Sequence, residues 1–382
     1  MTAPATLEET RPVTDRAAIL AEIRARRAEF AALRHVPCDM VAGLKTLGAY
    51  RAFVPARFGG DALSPAQFCA LIEEIAAADA STGWVASFGV SALYLGALPA
   101  QSYAAIFGAD PDTVFAGAMF PPQPARETAA GYVVSGRWPW CSGVTGADLV
   151  GVGIKLDSET TPLPRVAVMP KAEVTVDETW DSIGLSATGS HDVVVEDVTV
   201  PPERTFVRGA APSLEDAVFR YPAMAIASQV LAVVALGAAK EALGWVQENS
   251  LSRASITGAA APGARPYVQS EFAKAKGLLS GARAAFYDTI EEGWAQVLAN
   301  GETDRDTHIR LRLAATMAAR DGAEAARRAF VLGGSGAMLA GHPLGRCMMD
   351  AACVAQHAFL NEGTWTLAGA GFFDQPTAPG YP

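Results

Sequence analysis

The spacing of apolar residues changes period twice along the chain, and each change marks a change of architecture. Between Thr14 and Leu33, Ile19, Ile23 and Phe30 share one helical face. Ser64-Pro65-Ala66-Gln67 combines a serine N-cap, a proline at the first helical position and a glutamine able to close a capping box. Phe68, Leu71, Ile72 and Ile75 then supply the apolar stripe. Ser81-Thr82-Gly83-Trp84 interrupts that stripe and predicts a further apolar helix through Leu98, stopped by Pro99. Residues 53–60 read as a loop.

From Val114 the period shortens. Residues 114–120, 131–140, 147–154, 165–169 and 191–200 are short, valine-rich runs bounded by Gly, Pro and Asp. They predict a small antiparallel β-domain, with Pro111 and Pro201-Pro202 at its edges because proline cannot continue a ladder. Residues 222–247, 266–298 and 304–332 return to helical periodicity with many small residues, which let helices approach closely in a bundle. Gly333-Gly334-Ser335-Gly336 ends the third of these helices, and His342-Pro343 opens another predicted to reach about Leu360. The pattern predicts a mostly helical, multi-domain α+β chain: a helical unit over 1–111, a β-barrel or sandwich over 112–208 and a helical bundle over 209–382.

Composition narrows the classes. Half of the 382 residues are hydrophobic and 18% are charged, enough apolar material for a sizeable core. A formal net charge of −10 argues against a nucleic-acid partner, which needs a basic footprint. The apolar run over 223–239 contains Ser228 and Gln229 and is alanine-rich, so no membrane span is expected. The opening residues lack an apolar signal core, which predicts a cytoplasmic protein. Five scattered cysteines without CxxC spacing read as reduced thiols, and no metal-ligand spacing is present.

The stretch 131–153 concentrates the candidate chemistry. Val133, Val134, Trp138, Trp140, Leu149 and Val150 read as two strands joined by a turn near Ser142-Gly143. Indoles beside Cys141 and Ser142 suit a flat aromatic ring, and they equally suit a packed core strand.

Several segments resemble the acyl-CoA dehydrogenase superfamily. Trp180, Gly184-Leu185 and the run from Thr188-Gly189-Ser190-His191-Asp192 to Pro201 resemble its signature at the end of the β-domain. Leu332-Gly333-Gly334-Ser335-Gly336, Pro343 and Asp350 resemble its C-terminal signature. Within the superfamily the chain is most similar to the flavin-dependent monooxygenases of two-component systems. That resemblance rests on Asp79-Ala80-Ser81-Thr82-Gly83-Trp84-Val85, on the segment from Gly131 to Gly143, and on Asp350 and His357, with six residues between them.

The resemblance implies an oxygenase component that takes reduced FMN or FAD from a separate reductase. With molecular oxygen as co-substrate it would oxygenate a small aromatic or heteroaromatic molecule through a flavin C4a-hydroperoxide. It also implies a homotetramer with flavin at a subunit boundary. Trp140 would shield the flavin ring, and Ser142, through hydroxyl or backbone amide, would sit near flavin N5, with Met119 and Phe120 as further walls. Trp84, Ser87 and Ser91 would line the substrate cavity, where His357 would act as general base or as hydrogen-bond partner of substrate or hydroperoxide. Gly333 and Gly334 could admit a flavin phosphate, although a helix end explains them equally well, and Arg253 lies near a phosphate-holding position. The chain departs from the dehydrogenases at Phe330, where they carry glutamine, and from many phenol hydroxylases in lacking a histidine near Gly146. Two further readings compete: an FAD-dependent acyl-CoA dehydrogenase using Glu362 of Asn361-Glu362-Gly363-Thr364 as base, and a noncatalytic oligomeric relative.

Overall fold

The computed structural model describes residues 15–161, 163–252 and 258–377; Arg253 lies outside the described residues. The N-terminal helices are α1 (Arg16–Leu33), α2 (Cys38–Thr46), α3 (Pro65–Ala78), α4 (Ala80–Ala86), α5 (Ser91–Leu95) and α6 (Ala100–Phe107). Ser64 and Gln67 form the reciprocal capping box at the start of α3. The single helix expected from Trp84 to Leu98 is instead two short helices, α4 and α5, separated by a 3-10 turn over Ser87–Val90. α4 is opened by Asp79, whose Oδ2 accepts from both the amide and the hydroxyl of Thr82, each at 2.8 Å.

The strands are β1 (Phe115–Thr128), β2 (Gly131–Cys141), β3 (Leu149–Lys155), β4 (Arg165–Pro170), β5 (Thr175–Asp177), β6 (His191–Val200) and β7 (Thr205–Val207). They form one sheet in the order β5-β6-β2-β1-β3-β4-β7. Two expectations are corrected here. The sheet is mixed, because β1 runs parallel to β3. The two halves of 131–153 are not a hairpin, because β1 lies between β2 and β3. β1 pairs β3 from Phe115 to Ala118 and, after a register shift, again at Gln123 and Pro124; its pairing with β2 begins at Ala125. Met119 and Phe120 sit in that irregularity rather than at a strand end.

The C-terminal helices are α7 (Ala223–Asn249), α8 (Pro266–Asn300), α9 (Arg305–Leu332), α10 (Pro343–Ala355) and α11 (Gly363–Phe372). α7 is long and apolar enough to cross a membrane, yet 83% of its apolar window is buried inside the protein, as befits a central core helix. α10 stops at Ala355, so His357 lies in the turn before α11 rather than on the helix that carries Asp350. One continuous apolar core joins helices and sheet, from Ile23 through Trp138 to Leu360.

The packing is close because small residues meet. A Cβ on Gly83 of α4 would come within 2.6 Å of Ala76 Cβ, and one on Gly237 of α7 within 2.7 Å of the same atom. α3 therefore rests between α4 and α7 at near backbone contact.

Candidate active site

The C-terminal end of β2, an interior strand, and the end of α4 build the site. Strict alternation would put Trp138 and Trp140 on one face of β2. A register shift between Trp138 and Cys141 breaks that rule, and Trp140 takes the left-handed conformation, φ 63°. Such a backbone costs a non-glycine residue about 1–2 kcal/mol. The outcome separates the two indoles. Trp138 is fully buried and donates from Nε1 to Gly153 O at 2.8 Å, whereas Trp140 is 73% exposed. Cys141 points into the core, where burial pushes its thiol well above the ordinary range.

Beside the exposed indole, Ser142 is buried in a chain of hydroxyls. Trp84 Nε1 donates to Ser142 Oγ at 3.3 Å. Ser142 Oγ and Ser190 Oγ are 2.7 Å apart, as are Ser190 Oγ and Thr188 Oγ1. Thr188 Oγ1 donates to Leu185 O at 3.0 Å. Each hydroxyl has one proton, so the order runs one way: Ser142 donates to Ser190, Ser190 to Thr188 and Thr188 to Leu185 O. Ser142 keeps one lone pair free and no proton. Its backbone amide is also spent, on Trp140 O, and that of Gly143 on Thr188 O. Of the donor and acceptor capacities that Ser142 offers, the structure leaves its Oγ the acceptor one.

Trp84 links this chain to His357, with ring centroids 5.7 Å apart in an edge-to-face contact. His357 packs in turn on Phe359, centroids 4.9 Å apart, and its Nδ1 accepts the Phe359 amide at 3.3 Å. Burial, and then the positive charge of Arg208, lower the imidazole pKa to about 4. A neutral imidazole that accepts at Nδ1 carries its proton on Nε2. Arg208, just beyond β7, lies over the rings of Phe120 (5.3 Å) and Phe359 (5.6 Å).

The other candidates fall as follows. Ser87 Oγ donates to Trp84 O at 2.7 Å and is satisfied. Ser91 Oγ is buried with no partner among the described residues. Met119 is half-buried on β1 and Phe120 is 51% exposed. Gly333 ends α9 against Leu344 and Ala337, and Gly334 is left-handed in open space, φ 64°. Gly333 follows the last residue of α9, and Gly334 opens the 3-10 turn after it. Near the end of the described residues, Arg305 Nη1 donates to Gly371 O at 3.0 Å and to Asp374 Oδ1 at 2.7 Å. Glu362 is 81% exposed and pairs with Arg320 at 3.3 Å. Because exposed pairs of this kind contribute little, Glu362→Gln is expected to change steady-state oxygenation by less than about twofold. A tenfold loss would restore the dehydrogenase reading. Among the described residues no group of three His, Cys, Asp or Glu is placed to hold a metal ion.

Sequence reasoning missed Ser190, Thr188, Phe359 and Arg208 as site residues. The first two lie inside the Thr188-Gly189-Ser190 signature and were within reach of it. The surroundings of Arg208, Phe206-Val207-Arg208-Gly209, carry no pattern.

The described surface also has two open polar grooves, one over Pro124, Arg126 and Ser135 and one beside Arg57 and Asp216. Neither reaches the Trp84, Ser142 and His357 cluster, which carries the aromatic and proton-bearing groups.

Comparisons with known proteins show the family. Residues 9–101 match the acyl-CoA dehydrogenase N-terminal domain and residues 229–362 its C-terminal domain. An indole-3-acetate monooxygenase of Pseudomonas putida is 49% identical over 94% of this chain and 92% of its own length. One from Acinetobacter baumannii is 45% identical over 95% of each. The crystal structure of a 3-HSA hydroxylase from a Rhodococcus species superposes with a TM-score of 0.89 at 27% identity, covering 96% of this chain and 97% of the other. The chain thus belongs to the acyl-CoA dehydrogenase superfamily and, within it, to the flavin-dependent monooxygenases.

Proposed function

We propose that the protein is the oxygenase component of a two-component system and adds one oxygen atom to indole-3-acetate or a similar small aryl acid. The observation that carries this reading is the acceptor state of Ser142 beside the exposed Trp140. Reduced flavin has an N5–H to donate, and a hydroxyl whose own proton is committed elsewhere is a fitting partner for it. A 73% exposed indole held in a costly backbone conformation suits a ring that must cover something flat. When bound, reduced flavin supplies the electrons that activate dioxygen.

In this reading the chain's own groups do three things. Trp140 and Phe120 shield the reacting centre from water. Ser142, oriented by Trp84 and Ser190, fixes the flavin ring. His357, neutral and protonated at Nε2, donates a hydrogen bond into the space beside Trp84. The names of two relatives that are 45% and 49% identical over nearly the whole chain supply the substrate class.

We extend the same proposal to a homotetramer supplied with reduced FMN or FAD by a separate reductase. In one chain the cluster opens beside exposed Trp140 rather than into a closed cavity, and Val331, Met338 and Leu339 are more than 60% exposed. Apolar exposure of that kind fits subunit contact.

The test is anaerobic loading with reduced FMN or FAD, followed by oxygen and indole-3-acetate. The expected product is one oxygen atom heavier than the substrate, with little hydrogen peroxide. Release of all the oxygen as peroxide from indole and phenol substrates alike, with tightly held FAD bleached by an acyl-CoA, would reject the proposal.

A further inference from the structure

Arg208 is a half-buried cation with no carboxylate within ion-pair distance among the described residues. Several other half-buried arginines carry theirs: Arg51 pairs with Asp61 and Asp112, Arg165 with Glu159, and Arg310 with Glu292. The polar contact made by the Arg208 guanidinium is a weak one, from Nη2 to Met224 Sδ at 3.6 Å. Its remaining neighbours are aromatic, namely Phe120, Phe359 and the buried phenol of Tyr94. Burial pulls its pKa below the ordinary arginine value, so the site disfavours the charge it holds. A cation kept there without an anion is a binding site awaiting one.

Its place in the fold is specific. β7 delivers Arg208, whose amide is tied to Pro164 O at 3.0 Å, and Gly209 turns the chain away with φ 80°. β1 brings Phe120, α5 brings Tyr94, α7 brings Met224, and the turn before α11 brings His357 and Phe359. From Ser142 the line runs through Trp84, His357 and Phe359 to Arg208, an aromatic wall with a hydroxyl acceptor at one end and a cation at the other. An aromatic acid lying along that wall would meet the guanidinium with its carboxylate.

We propose that Arg208 is the residue that reads the carboxylate of the substrate, making the enzyme selective for aryl acids over neutral aromatics of the same shape. The inference rests on the oxygenase reading above and deepens it. A guanidinium offers a carboxylate two parallel N–H donors, and the low local dielectric strengthens both. Arg208→Lys keeps a point charge without the fork, and Arg208→Met keeps the apolar stem alone.

The experiment compares indole-3-acetate with indole-3-acetamide on the full-length protein, by equilibrium binding and by turnover with reduced flavin. Wild type is expected to prefer the acid. Arg208→Met should weaken the acid by about 30-fold or more while the amide changes by less than about threefold, the scale of a charged hydrogen bond removed. Arg208→Lys should fall between. Equal weakening of acid and amide would make Arg208 a packing residue and overturn the proposal. An unchanged acid preference, or a loss confined to flavin affinity, would overturn it as well, the latter assigning Arg208 to the flavin phosphate. Failure of wild type to oxygenate either indole would instead count against the oxygenase reading. The acid-to-amide binding ratio would still decide the role of Arg208.

Discussion

His357→Phe is expected to lower coupled product formation by about 100-fold, the usual cost of losing one aimed hydrogen-bond donor at a reacting centre. Flavin should still bind and oxygen should still be consumed, but the consumption should appear as hydrogen peroxide. Phenylalanine keeps the edge-to-face contact with Trp84 and the packing on Phe359, so the fold is spared. His357→Gln, which restores an N–H of similar reach, should recover part of the coupling. The measurement is the ratio of product to oxygen consumed, and an unchanged ratio in the phenylalanine variant would remove His357 from the chemistry.

The pH behaviour follows from the same residue. With its pKa lowered from 6.5 to about 4, His357 is neutral throughout the working range. Its contribution to coupling should therefore be flat from pH 6 to 8. The folded state binds fewer protons than the unfolded chain between pH 4 and 6.5, so the stability this residue contributes is present above 6.5 and lost as pH falls toward 4.

Asp350→Asn is expected to stabilise the protein at pH 8 and to leave it nearly unchanged at pH 4. Asp350 is buried on α10, ahead of the His357 turn, and its Oδ1 accepts the Leu185 amide at 2.7 Å. Burial first, and then the charge of Asp79, raise its pKa to about 7, against the Leu185 amide and Arg346, which lower it. Here the sign is opposite to that of His357. Between pH 3.8 and 7 the folded state binds more protons than the unfolded chain, so this group's contribution to stability falls as pH rises.

A shift of that size corresponds to about 4 kcal/mol. Asparagine keeps the acceptor for Leu185 and removes the charge but must bury an amide, so the net gain expected at pH 8 is about 2 kcal/mol. Denaturant midpoints at the two pH values measure it. Equal effects at both would show that Asp350 is ionised in the fold at low pH as well.

What the sequence made legible was local. The capping box at Ser64 and Gln67 and the long helices of the last third are written in neighbouring residues, and they reappear in the structure. Pro201-Pro202 does not close the strand region, because β7 follows it at Thr205–Val207 and joins the sheet. The parallel pairing of β1 with β3 was not legible, because it joins segments more than thirty residues apart across an intervening strand. Trp140 was read as a flavin wall without its means of reaching one. Alternation assigns it the same face as Trp138, and a register shift and a left-handed residue overturn that. His357 was placed on a helix because the apolar period runs on past Ala355, whereas the backbone stops there. Arg208 had no signal at all. What marks it is a missing carboxylate, and only three-dimensional neighbours can show that.

One feature of the packing bears on motion. Ala76 occupies slots left by Gly83 and Gly237 on opposite sides, so α3 cannot slide along α4 or α7 without driving a methyl group into a backbone. Shear between the N-terminal helices and the C-terminal bundle is thereby blocked, since such sliding needs interchangeable packings that a keyed contact does not offer. Trp84, one residue beyond Gly83, inherits that immobility. In the proposed site, any opening beside Trp84 would then fall to the sheet side, to Phe120, Trp140 and the turn carrying His357, with the helical block as a fixed anvil.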